Sequence, residues 1–199
     1  MSLARPPADL SCAALFSTWL PDAFEKARAA GAKAPDVVVS VVLDGKGGGA
    51  WTLRVAGGAL TVSDGADAAA HITVRQPVAD FRAAIWGEGT MAPLLPADFD
   101  VAAAVTGELK LPVAALGQMK GTLHLDVPDF NARSFKVSAT FGGAAEPSAS
   151  VTADVATLEQ LRSGTLQPAE AFFTGKIRVA GDVPWLMQVG LSLAGGGAM

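Results

Sequence analysis

Two histidines, His71 and His124, and one cysteine, Cys12, are the side chains of this chain best suited to act as a near-neutral base, a soft metal ligand or a thiol nucleophile. His71 opens a strand-like run between Ala70 and Ile72. His124 alternates with Leu123 and Leu125, which puts it on the opposite, solvated side of a strand. Groups so scattered make neither a zinc set nor a Cys–His pair, so both histidines read as polar strand residues and Cys12 as a small residue of a first helix. "GKGGG" at 45–49 has its lysine second and no Gly-Lys-Ser/Thr after it, so it reads as a hairpin loop and not a phosphate cradle. "DGAD" at 64–67 lacks the spacing and closing Glu of a calcium loop and reads as a turn. No serine sits in a Gly-x-Ser-x-Gly elbow. Catalysis, metal and cofactor are therefore not expected.

With catalysis set aside, composition bounds what remains. Half of the 199 residues are hydrophobic and 17% are charged, yet no apolar run reaches the roughly 20 residues of a membrane-spanning helix. The net charge is −4, with Lys and Arg scattered as singletons such as Arg54, Arg75, Arg82, Lys110 and Arg178. Such a surface offers no basic stripe for nucleic acid or anionic lipid. The N-terminal residues carry no cleavage-site pattern, and a lone cysteine suits a reducing compartment, so the expected setting is cytoplasmic.

These apolar residues must be positioned by a limited set of elements. Leu15, Phe16, Trp19, Leu20 and Phe24 fall at helical spacing, with Pro21 suited to the first turn of a second segment, giving a kinked or split helix within residues 1–35. From Asp36 onward "DVVVSVVLDG", "AWTLRVAGG", "ALTVSDG" and "AHITVRQP" read as the strands of an antiparallel meander. "VADFRAAIWGEG" then places Val78, Phe81, Ile85 and Trp86 on one side of a helix that stops at Gly87. A Pro- and Leu-rich stretch and a strand "GELKL" complete residues 36–119.

Residues 120–195 repeat this order. Strands "GTLHLDV", "SFKVSATFGG" and "SASVTADV" lead to a helix capped by Asp154 or Thr157, then "PAEAFFTG", the strand "KIRVAG" and a last helix with Asp182 at its N-cap. Pro96 and Pro112 have the same spacing as Pro168 and Pro184, which suggests an internal duplication. Residues 196–199 read as a flexible tail.

The run "PAEAFFTGKIRVAGD" from Pro168 to Asp182, preceded by an apolar helix ending at Gly164 and followed by an apolar last helix, resembles the sterol carrier protein 2 (SCP-2) lipid-transfer family. Upstream, "AWTLRVAGGALTVSDGADAAAHITV" is similar to that family's Trp-led strands. The resemblance implies an α+β fold: a twisted, mainly antiparallel sheet with helices covering one face and an apolar space between the layers. It implies non-enzymatic binding, with intracellular transfer, of a sterol, fatty acid or acyl-CoA. The expected lining is Phe172, Phe173, Ile177, Trp185, Leu186 and Val189, with Phe81, Ile85, Trp86, Leu94, Leu95 and Phe99 as first-half counterparts. The last helix, apolar nearly all round, leaves two alternatives open: a scaffold or homodimerisation module, and an accessory factor presenting a lipid precursor in isoprenoid-quinone synthesis.

Overall fold

The computed structural model describes residues 5–29, 31, 34–87 and 116–195. The chain enters through α1 (Cys12–Ala14), a π-helical stretch π1 (Leu15–Trp19) and α2 (Leu20–Ala29). The Ser11 hydroxyl caps α1, accepting the Ala14 N–H at 3.1 Å. Pro21 has no N–H to donate to an ordinary helical turn, and just before it the Leu20 N–H reaches back five residues to the Leu15 carbonyl. The expected kink is thus a local widening of one continuous helix.

Strands β1 (Val37–Asp44), β2 (Gly49–Ala56) and β3 (Ala59–Asp64) form the expected meander, with "GKGGG" as its first hairpin loop. Strand β4 (Ile72–Pro77) departs from expectation: it does not extend the meander but crosses back to pair in parallel with β1, Val41 opposite Val74. Side chains of the strands hold the crossing chain. The Asp67 N–H donates to Ser40 Oγ at 3.0 Å, and the Thr52 hydroxyl donates to the Gly65 carbonyl at 2.8 Å. Helix α3 (Val78–Trp86) follows and ends at Gly87, whose φ of 83° is cheap for a residue without Cβ.

The second stretch builds hairpin β5 (Gly121–Phe130) and β6 (Arg133–Phe141), then β7 (Ser148–Ala153) in parallel with β5, and α4 (Val155–Arg162). Helix α5 (Pro168–Phe173), edge strand β8 (Ile177–Gly181) and α6 (Val183–Gly195) complete it. Asp154 caps α4 through the Thr157 N–H at 2.7 Å, and Asp182 caps α6 through the Trp185 N–H at 2.9 Å. An antiparallel β4–β6 contact joins the two stretches into one eight-stranded mixed sheet, ordered β3-β2-β1-β4-β6-β5-β7-β8. This is an α+β fold.

The two faces of the sheet differ in chemistry because side chains alternate along each strand. One face carries Val39, Val41, Leu43, Trp51, Leu53, Leu123, Leu125 and Val137, which pack with residues of the N-terminal helices, α3, α4 and α6, and Val74 lies in register among them. The other carries Thr52, Ser40, Thr73, Thr140, Thr122 and Ser148 in one continuous register row, flanked by the ion pairs Arg54–Asp67 and Arg75–Asp44. Among the described residues the helices therefore pack on the apolar side, as a half-apolar sheet requires.

Candidate functional site

On the helix-covered face, burial follows a pattern that strand position explains. Toward their ends the strands present fully buried residues: Val37 and Leu43 on β1, Phe135 and Phe141 on β6, Gly121 and Val127 on β5, Ala149 and Ala153 on β7. In mid-strand the same face is only half-buried, at Val39, Val41, Val74, Val137, Ala139, Leu123, Leu125, Val151 and Val179. The pairings Val41–Val74, Val74–Ala139, Ala139–Leu123, Leu125–Val151 and Val151–Val179 make these residues one apolar floor. It crosses β1, β4, β6, β5, β7 and β8, and at ~4.8 Å between neighbouring strands the row is about 24 Å long.

Two banks flank the floor. On one side Trp185 and Val189 of α6 pack with Leu116, Phe141 and Ala149. Gly121 makes this possible: at φ 123°, a Cβ there would lie 2.3 Å from the Pro147 carbonyl and 2.6 Å from the Trp185 indole. The indole N–H donates to the Lys120 carbonyl at 2.7 Å, fixing the ring over the strand ends. On the other side Ala83 of α3 packs with Val127, Phe130 and Phe135, and Val155 and Leu158 of α4 lie against them. Asp80 of α3 ties this bank down, accepting from the Arg133 guanidinium and, at 2.7 Å, from the Lys136 N–H.

The residues expected to line an apolar space fall into four groups. Trp185, Leu186 and Val189 belong to the first bank, and Ile177 is half-buried on the covered side of β8, one pairing from the floor. Phe81, Ile85 and Trp86 pack instead in the core under the N-terminal helices, where Phe16 stacks on Trp51 at 4.7 Å and lies 5.8 Å from Phe81. Phe172 and Phe173 stand outside, 46% and 85% exposed, in edge contact with each other at 5.8 Å. Leu94, Leu95 and Phe99, with the "GELKL" strand, lie outside the described residues. The floor itself was not singled out by sequence, although the alternation of "TLHLDV" and "ITVRQ" marks its apolar side.

The polar groups nearby are structural. His71 Nδ1 accepts the Val38 N–H at 3.1 Å, and His124 is exposed on the hydroxyl-bearing face. Burial pushes the Cys12 thiol up against the opposing pull of Arg82, so it is held as the inert thiol of a packed core. The Asp154 carboxyl is lowered by hydrogen bonds from the Thr157 side chain and N–H. Among the described residues, no group of three or more His, Cys, Asp or Glu side chains gathers as a metal site would need, and no helix is long and apolar enough to cross a membrane.

Comparison with known families adds one match, over part of the chain. Residues 100–191 match the SCP-2 sterol transfer family. The SCP-2-like segment takes in β5 to β8 and the helices α4 and α5, and reaches into α6, so it supplies one whole bank and more than half of the floor. No curated protein and no solved structure matches the chain.

Proposed function

We propose that the chain binds a hydrophobic ligand along the mid-sheet trough and carries it between membranes without chemical change. The half-buried floor carries this reading: central-strand residues under a helical layer are ordinarily sealed, and here a contiguous row of them is not. Covering such a floor with a ligand gains on the order of 25 cal/mol per Å² before ordering costs. The family match over residues 100–191 supports the class of ligand. In this reading residues 36–119 and 120–195 are two versions of one unit. Ile177, Trp185, Leu186 and Val189 contact the ligand from the second, while Phe81, Ile85 and Trp86 stiffen the first. Phe172 and Phe173 meet lipid only from outside.

Titration with a fluorescent fatty-acid or sterol analogue should show saturable uptake, and mass spectrometry of solvent extracts should show copurified lipid. Ala139→Phe, which fills mid-floor, should reduce uptake at least tenfold while the chain stays folded. Absence of both saturable uptake and copurified lipid overturns the proposal.

The exposure of Phe172, Phe173 and Met187 favours a second reading, self-association through α5 and α6. Light scattering with and without residues 183–199 separates the two: loss of a dimer with uptake intact supports the scaffold.

A further inference from the structure

Six polar or charged residues of the described chain are buried, and five have side-chain partners. Ser40 and Thr52 bond each other, Asp80 holds Arg133 and the Lys136 N–H, Thr122 bonds Thr140 and the Ala144 carbonyl, and Thr157 bonds Asp154. The sixth, Gln76, is 8% exposed, and among the described residues its amide makes no hydrogen bond. Alternation places it with Ile72 and Val74 on the covered side of β4, opposite Leu43 of β1. It thus stands next to the floor residue Val74, on the side of α3. Among the described residues the sealed polar atom without a partner is Asp126 Oδ1, and the Gln76 amide is not sealed in that sense.

We infer that Gln76 is the polar anchor of the trough and selects a neutral amphiphile whose head is a hydroxyl or carbonyl. The inference rests on the lipid-carrier reading above and names its head-group chemistry. A primary amide offers two N–H donors and one carbonyl acceptor, which suits a hydroxyl that both gives and takes a hydrogen bond. A carboxylate would need a cation. Guanidinium groups carried on this side are engaged: Arg82 by the carbonyls of Ala8 and Leu10 and the face of Trp86, Arg133 by Asp80, and Arg28 by Glu25. Arg54, Arg75, Lys136 and Arg178 alternate to the opposite face.

The test is displacement of the fluorescent analogue from the full chain by 1-hexadecanol, hexadecanoic acid and hexadecane. Wild type should favour the alcohol over both others by about tenfold, equivalent to about 1.4 kcal/mol. Gln76→Leu should abolish that preference, keep hexadecane binding, and leave thermal stability unchanged or raised, since it removes an unpartnered buried amide. Equal displacement by alcohol and alkane in wild type, a preference for the acid, or an alcohol preference that survives in Gln76→Leu each overturns the inference while the carrier reading stands. Absence of any saturable probe uptake by wild type takes down both.

Discussion

The two halves of the sheet share a plan and differ in how their apolar side is filled. Hydroxyls fall at matching positions: Ser40 and Thr122 on the first strand, Thr52 and Thr140 on its hairpin partner, Thr73 and Ser148 on the parallel strand. In each half they hold the chain that returns to the parallel strand, at Gly65 and Asp67 in one and Ala144 in the other. The first half then receives a helical lid, and Cys12, Leu15, Phe16 and Leu20 close over Trp51 and Leu53. Over the second, Trp185 and Val189 guard one margin and Ala83 the other, while Leu123, Leu125 and Val151 between them stay half-buried. Val39, Val41 and Val74 of the first half keep the same intermediate burial, so the halves differ in how far the added helices reach over the strands.

Aromatic truncation separates the halves most sharply. Phe16→Ala and Trp185→Ala should each cost about 3–5 kcal/mol, read as loss of Tm and denaturation midpoint. Only Trp185→Ala should also lower lipid uptake, and an equal loss in both variants would erase the distinction. Next comes the tie between the halves: Asp80→Ala leaves Arg133 without its buried carboxylate and should cost about 3 kcal/mol. Hydrogen exchange should rise together in α3 and the β5–β6 hairpin, and a rise confined to α3 would show the halves to be less coupled than the pair suggests.

A smaller effect belongs to the second half alone. Asp154→Ala removes the α4 cap and should cost about 1 kcal/mol. The Asp154 carboxyl is lowered in the folded chain, so this contribution is complete above its unfolded value near about 3.9 and is lost as pH falls through the depressed folded value. Acid unfolding of the variant and the parent should accordingly converge below that range. Smallest of all, Phe173→Ser should shift stability by less than about 0.5 kcal/mol, because the ring is already in solvent.

Local patterning in the sequence carried much of this fold. The β-branched run after Asp36, the glycine turns, and the caps at Asp154 and Asp182 each rest on short-range backbone chemistry, and each forms where expected. Pairing across distance was not legible. Nothing in "AHITVRQP" says that its strand lies parallel to β1 and antiparallel to β6, since both contacts are made by backbone groups that every residue carries. The exposure of the Phe pair has a geometric reason. Neighbouring residues of a helix point about 100° apart, and in α5 the buried position goes to Ala171, which turns the rings outward. Gln76 was within reach, since "ITVRQ" puts it in step with Ile72 and Val74, but whether a helix seals that side cannot be read from a strand's own residues.

The β4–β6 contact has a consequence for how the molecule can be divided. A sheet edge with unpaired N–H and C=O groups invites pairing with other chains. Split between β4 and β6, this sheet would present two new edges in addition to β3 and β8, each long enough to recruit a stranger. Joined, each half shields the other, and among the described residues the sheet ends in a meander strand and the five-residue β8 with Arg178 on it. The seam works as mutual protection against aggregation, so neither half should be soluble when produced alone, and an insertion that parts them should be tolerated less well than one in any outer hairpin.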